Sequence, residues 1–330
     1  MKLKKGKILV TGSAGFIGYH LTKKLLKKNY EVIGIDNLNS YYDKKLKLNR
    51  NKDLLNFSKK NNKKFSFFKV NIINRREITK IFKKYKFVKV FHLAAQPGVR
   101  FSFEQPYKYI DTNIVGFFNI LENCKNNGIK KLVFASSSSV YGSEKKIPYS
   151  EKTSKTFPIQ LYAATKLSNE IIALTYSKLF KFQIVGLRFF TVYGPWGRPD
   201  MAMYKFMESI IKKKTIELYN NGNHYRDFTY IDDIVDGTIK AGNFISKKFE
   251  IFNLGNGKPI TTLKFALLLT KILKVDTKFK FIKKQRGDMD KTYANINKAT
   301  KFLKFKNKVK IEKGILKFVN WYKQYNKIKK

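Results

Sequence analysis

The sequence predicts an α/β fold, a doubly wound parallel sheet followed by a smaller C-terminal α/β domain. Three observations predict it. Short apolar runs alternate with stretches of helical periodicity through the first half, the spacing of βαβ units. A glycine-rich turn stands between the first apolar run and the first helix. The 330 residues are 43% hydrophobic and 15% aromatic, enough for a core despite a net charge of +46.

The elements follow in order. Ile8–Thr11 reads as a strand, Phe16–Lys28 as a helix and Val32–Ile35 as a second strand. Asn49–Lys64 is Lys- and Asn-rich, a surface helix or a loose loop. Phe65–Val70 is a third strand, Arg76–Tyr85 a helix, Val88–Leu93 a fourth strand and Tyr109–Asn126 a long helix. Leu132–Ala135, Ile159–Phe180 and Ile184–Leu187 complete a fifth strand, a helix and a sixth strand. In the second half, Gly194–Pro199, Asn220–Asn223 and Asn253–Pro259 read as loops and turns. Ile234–Phe244 is helical, opened by Asp232-Asp233 as N-cap and dipole partner. Lys271–Lys284 and Asn297–Lys310 bury one face at most. The division expected is a nucleotide-binding domain over 1–187 with a returning segment near 228–258, and a second domain from 188–227 and 259–330.

The charge needs a separate argument. Only eight of the 69 basic residues are Arg, and 27 residues are Asn. Nucleic-acid readers rely on Arg forks clustered on one face. Lysines spread from end to end read as a solvated surface, with no specific nucleic-acid partner. The lone Cys124 forms no intrachain disulfide and is expected in the core. His20, His92 and His224 show no metal spacing, so no metal is expected. No membrane span or signal peptide is read, and the protein is expected in the cytoplasm.

The first strand runs into Thr11-Gly12-Ser13-Ala14-Gly15-Phe16-Ile17-Gly18. Gly12 permits the tight turn, Gly15 lets the backbone approach a pyrophosphate at the helix N-terminus, and Gly18 lets the helix pack close to the sheet. This makes the sheet Rossmann-like. Asp36 ends the second strand, 24 residues beyond Gly12, where an acid meets the adenosine ribose. A carboxylate there repels a 2′-phosphate, and the neighbour is Asn37 rather than Arg, so NAD is favoured over NADP. Tyr162 and Lys166 form a YxxxK on one helix face. An adjacent ammonium is expected to lower the Tyr162 pKa from about 10 and make it a proton acceptor. A hydroxyl cluster, Ser136 to Ser139, follows the fifth strand at the end where such sheets bind ligands.

These residues resemble the extended short-chain dehydrogenase/reductases, and within them the UDP-glucuronate 4-epimerases. The resemblance runs from Val10 to about Tyr322. It is carried by HLAAQPGVR (His92–Arg100), ASSSSVYG (Ala135–Gly142), LYAATK (Leu161–Lys166), GLRFFTVYGPWGRPDM (Gly186–Met201) and RDFTYIDDI (Arg226–Ile234). It implies NAD as cofactor, a UDP-sugar substrate, a homodimer and a role in surface polysaccharide biosynthesis. It also implies residue roles. Tyr162 would be the catalytic base and acid, Lys166 its partner on the nicotinamide ribose, and Ser137 the catalytic hydroxyl. Gly12, Gly15, Phe16, Ile17, Gly18, Asp36, Asn37, Asn71, Ile72, Leu93, Ala94, Ala95 and Asn113 would line the cofactor site. Asn71 departs from the family's usual Asp against adenine. Thr191 and Arg198 would hold the sugar carboxylate, and Arg226 and Arg286 the diphosphate. Asp288 would hold a uridine ribose hydroxyl, with Arg100 and Ser138 also on the substrate.

The reaction so implied oxidises the sugar at C4, turns the 4-keto sugar over and reduces its other face. That intermediate is a β-keto acid and loses CO2 unless the carboxylate is held out of alignment. Sister dehydratases and decarboxylases carry a carboxylic acid just before Val-Tyr-Gly, whereas this chain has Ser138-Ser139. Alternatives are a 4-epimerase of another UDP-hexose, a UDP-glucuronate decarboxylase, a non-catalytic NAD-binding protein, or a weak polyanion binder.

Overall fold

The computed structural model describes residues 6–153, 156–245, 249–285 and 287–328. Seven parallel strands form one sheet. They are β1 (Lys7–Thr11), β2 (Glu31–Asp36), β3 (Phe65–Lys69), β4 (Phe87–His92), β5 (Lys131–Ser137), β6 (Gln183–Phe189) and β7 (Glu250–Leu254). Their order is β7-β6-β5-β4-β1-β2-β3. The order reverses direction at β1, so the crevice between the C-terminal ends of β1 and β4 is where a doubly wound sheet binds its ligand. Val10, Ile33, Val90, Val133 and Val185 are buried, as continuous apolar runs require in a sheet covered on both faces.

The helices that flank the large sheet are α1 (Phe16–Lys27), α2 (Lys44–Lys60), α3 (Arg75–Lys84), α4 (Gly116–Asn126), α5 (Leu161–Phe180) and α6 (Ile231–Asn243); further helices include Ala202–Ile211, Thr262–Leu273 and Ile311–Tyr325. The Asn49–Lys64 stretch thus falls largely in a helix, α2, anchored by Leu46, Leu54 and a fully buried Arg50. The expected long helix before Asn126 forms, with a change of pitch inside it. A short helix, Pro106–Tyr109, passes into a π-helical turn, Ile110–Val115, before α4 begins. The widened turn leaves the Asn113 carbonyl to accept from Asn169 Nδ2 at 2.7 Å.

The later part of the chain builds small sheets beside the large one. Thr191–Tyr193 pairs with Phe228–Tyr230, and Ile216–Tyr219 with Phe279–Ile282. Tyr225–Arg226 lies between Ile260–Thr261 and Lys291–Thr292. Helix α6 starts at Ile231 with Tyr230 at its N-cap. Asp232 and Asp233 therefore lie in the first turn, where the dipole reading puts acids, but neither caps the helix as the sequence reading also expects. The Asp233 carboxylate is engaged elsewhere, accepting from the Lys308 and Val309 amides at 3.1 and 3.2 Å. Cys124 is buried in the core. Phe117 is buried too, whereas Phe103 and Phe118 are 52% and 41% exposed.

Candidate active site

A cleft of about 1100 Å³ opens at the C-terminal ends of β1 and β4 and continues between the large sheet and the small ones. Its first part is backbone. Gly12 holds φ +71°, and a Cβ there would meet the Ala94 amide at 2.8 Å. The Gly12 amide donates to the Ile35 carbonyl at 2.7 Å, so the turn is tied to the end of β2. Helix α1 starts after Gly15 with no side-chain cap and no acid in its first turn. Its free amide donors and dipole suit a pyrophosphate.

Asp36 stands at the far side of that turn. It accepts from the Ala14 amide at 3.1 Å and the Leu38 amide at 2.8 Å. Burial pushes its pKa up, while these amides and the charges of Lys47 and Arg50 pull it down. Asn71, Ile72, Leu93, Ala94 and Ala95 line the same part of the cleft. The donors, the close approach at the glycines and the carboxylate beyond them fit NAD.

Asn113 does not line the cleft. Its side chain accepts from the Gln96 amide at 2.8 Å and donates to the Gln96 carbonyl and Thr165 Oγ1, both at 3.1 Å. It braces the segment after β4 against α5 from behind.

The reactive centre lies on α5 and the end of β5. Ser137 Oγ donates to Ser139 Oγ at 3.1 Å. Burial pushes the Tyr162 phenol up, while a hydrogen bond with Ser137 and the charge of Arg198 pull it down. The lowering expected from the Lys166 ammonium is not what acts on the phenol: the opposing charge is that of Arg198, and burial outweighs it because the low-dielectric wall penalises the phenolate more. Lys166 Nζ donates to the Ala135 carbonyl at 2.9 Å, and burial lowers its pKa to about 8 against the pull of Glu170.

Glu170 was not singled out in the sequence, yet it anchors this centre. It accepts from Arg188 Nε and Nη2 at 2.9 and 2.7 Å and from Ser136 Oγ at 2.5 Å. Its spacing, four residues after Lys166 on the same helix face, was the available signal. Asp227 is a second such residue. Fully buried, it accepts from the amides of Ala294 and Gly257 at 2.9 Å and of Asn256 at 2.5 Å. It gathers two segments, Asn256–Gly257 and Ala294, around its neighbour Arg226.

The outer cleft carries the remaining residues. Thr191 lines it at the start of its strand. Arg198 Nε donates to Asp200 Oδ1 at 3.0 Å, and its Nη2 holds the other oxygen. Burial works against the Arg198 charge, but Asp200 outweighs it and keeps the guanidinium charged. Arg226 donates to the Tyr225 carbonyl at 3.0 Å, and burial lowers its pKa against the pull of Asp288 and Asp290. Arg100 pairs with Asp288 at 3.1 Å and lies over the Tyr219 ring at 4.6 Å. Arg286 lies outside the described residues. The cleft thus brings cationic groups to one end and a hydroxyl–phenol–ammonium group to its middle. That arrangement suits proton transfer beside a dinucleotide on an anionic substrate.

Comparison with known proteins agrees. The chain is 44% identical over 336 residues to UDP-glucuronate 4-epimerase 4 of Arabidopsis thaliana, covering 96% of this chain and 75% of that protein. Protein CapI of Staphylococcus aureus is 43% identical, with 97% of this chain and 99% of that protein covered. The crystal structure of UDP-glucuronic acid 4-epimerase from Bacillus cereus, in complex with UDP-glucuronic acid and NAD, superposes with a TM-score of 0.89 at 36% identity. It covers 97% of this chain and 99% of that one. Residues 8–255 match the profile of an epimerase family, and with relatives of this similarity along almost the whole chain, the protein belongs to the NAD dependent epimerase/dehydratase family.

Proposed function

We propose that the protein is a UDP-glucuronate 4-epimerase, interconverting UDP-glucuronate and UDP-galacturonate, with its product used in surface polysaccharide. One observation carries the assignment: Ser137, Tyr162 and Lys166 meet in the cleft with hydroxyls, Ser138-Ser139, where a decarboxylase or dehydratase needs a carboxylic acid.

NAD held by the glycine-rich turn, α1 and Asp36 supplies a reversible acceptor for the C4 hydride. Tyr162 takes the proton of the sugar 4-hydroxyl and later returns it, with Ser137 fixing the phenol by their hydrogen bond. Lys166, an ammonium below about pH 8, is its partner on the nicotinamide ribose. Thr191, Arg198 and Ser138 hold the carboxylate away from alignment with the C4 carbonyl, and the planar Arg fork suits that group. Arg226, Arg100 and Asp288 take the nucleotide diphosphate and ribose. Residues 1–187 with 228–258 hold the cofactor, and the remainder holds the UDP-sugar.

The active form is a homodimer. Val115 at the start of α4, Phe118 on α4, and Ile171 and Leu174 on α5 are 36–57% exposed on two neighbouring helices, an apolar face suited to a second copy. No helix among the described residues is long and apolar enough to cross a membrane, and we place the enzyme in the cytoplasm.

The test is to incubate the purified protein with UDP-glucuronate and resolve the products. UDP-galacturonate is expected. A UDP-pentose with release of CO2 would make it a decarboxylase, and turnover of UDP-glucose alone would move it to the hexose epimerases.

A further inference from the structure

The turn that leads to Arg198 is held in an unfavourable shape. Trp196 sits at φ +60°, a conformation that a bulky side chain rarely adopts. Such a backbone persists only when its surroundings over-determine it. Here three successive carbonyls are held by side chains from the nucleotide-binding half. His20, on α1, bonds the Pro195 carbonyl through Nε2 at 2.8 Å. Arg50, on α2, donates through Nη2 to the Trp196 and Gly197 carbonyls at 2.6 and 3.2 Å.

The other arm of Arg50 faces the cofactor turn. Its Nη1 donates to the Ala14 carbonyl at 3.0 Å and the Tyr42 hydroxyl at 2.6 Å. Arg50 is fully buried, and the acceptors just named are carbonyls and a phenol, none a carboxylate. The field of Arg50 reaches Asp36, but no carboxylate accepts its hydrogen bonds, and burying a guanidinium on neutral acceptors is costly, so this one is not explained as an ordinary hydrogen-bonded ion pair. Ala14 is the residue whose amide donates to Asp36. Arg50 thus joins the segment that would meet NAD to the residue immediately before Arg198.

We propose that Arg50, assisted by His20, is a positioning residue that locks the Pro195–Gly197 turn to the glycine-rich turn, so that filling the cofactor site sets Arg198 in the sugar site. The inference rests on the substrate reading given above. It makes the two sites thermodynamically coupled, and coupling is reciprocal.

The test is titration calorimetry on cofactor-stripped protein. UDP-glucuronate is titrated with and without saturating NAD, with Arg50 as in wild type and in Arg50→Met and Arg50→Lys, each protein also carrying Tyr162→Phe so that bound substrate is not turned over. In wild type, NAD should tighten UDP-glucuronate binding by at least about fivefold, the lower end for coupled sites. Arg50→Met should bring that ratio to about one. Arg50→Lys, whose single ammonium cannot hold both turns in the same fork geometry, should keep part of it. A merely structural arginine would lower stability and leave the ratio unchanged. If Arg50→Met does not fold, Arg50→Lys decides: a reduced ratio supports the lock and a wild-type ratio overturns it. A wild-type ratio of one overturns it as well. Wild-type protein that does not bind UDP-glucuronate at all removes the substrate reading itself, a different failure from binding with unchanged coupling.

Discussion

Replacing Gly18 by Ala tests the cofactor site where the geometry is tightest. A Cβ at that position would lie 2.0 Å from the Gly12 carbonyl oxygen, 2.8 Å from its carbon and 3.2 Å from Ser13 Cα. Ordinary contact begins near 3.4 Å, so the pair must part by about 1.4 Å, and every neighbour is backbone. The Gly12 carbonyl also accepts from the Gly15 amide at 2.9 Å, and the Gly12 amide is bonded to Ile35. The displacement therefore reaches the turn itself and the end of β2 that carries Asp36. Overpacking of this kind costs about 1–3 kcal/mol. If the turn relaxes by deforming, NAD binding must restore it against that cost, a loss of about 5- to 150-fold in affinity. The assay is NAD titration into cofactor-stripped protein alongside urea unfolding. Gly128→Ala is the control: it has open space around it but φ +62°, so stability should fall slightly with NAD affinity unchanged. Wild-type NAD affinity and stability in Gly18→Ala would refute the argument that close approach of α1 to the turn shapes the site.

Tyr162→Phe should lower turnover by about two orders of magnitude or more while NAD content and fold persist, and near wild-type turnover would remove Tyr162 from acid–base work. Glu170→Gln leaves the buried Arg188 without its counter-charge and should cost about 3–5 kcal/mol in urea unfolding. A loss under about 1 kcal/mol would show that the pair does not hold the centre together. Lys166 has a folded pKa of about 8 against its ordinary 10.5, so between these values the unfolded chain binds more protons and folding stability rises with pH. Lys166→Met should reduce that rise by about one proton, roughly 1.4 kcal/mol per pH unit, in cofactor-free protein unfolded across that window; identical slopes would contradict the buried ammonium.

Six of the seven strands of the large sheet were legible, most of them because buried parallel strands are nearly continuous apolar runs; β7 was not, and its end, Asn253–Leu254, fell in the stretch read as a loop. Ile8–Thr11 and Ile184–Leu187 fall inside β1 and β6, extended by one to three residues. The glycine-rich turn, Asp36, Tyr162 and Lys166 stood out by spacings set by local geometry and Ser137 by the resemblance, and all of them line the cleft. Arg50 was not, since a lone Arg among lysines and asparagines is indistinguishable from a solvated residue until α2 is packed against the Pro195–Gly197 turn. Asn113 was placed on the cleft wall, yet a π-helical turn that no periodicity announces carries it behind that wall. The short strands of the second half, such as Tyr225–Arg226, are too brief to show alternation, so the position of Arg226 depends on long-range contacts, above all those its neighbour Asp227 makes to Asn256, Gly257 and Ala294.

The central claim is internal return of one hydride at C4 with C5 untouched. UDP-glucuronate carrying deuterium at C4, turned over in ordinary water, tests it by mass and proton spectra of the product. The account predicts UDP-galacturonate with the deuterium retained at C4. A parallel run of unlabelled substrate in heavy water should place no deuterium at C5, because no carboxylic acid stands at Ser138-Ser139 to move that proton. Loss of the C4 label, or deuterium entering C5, would contradict it.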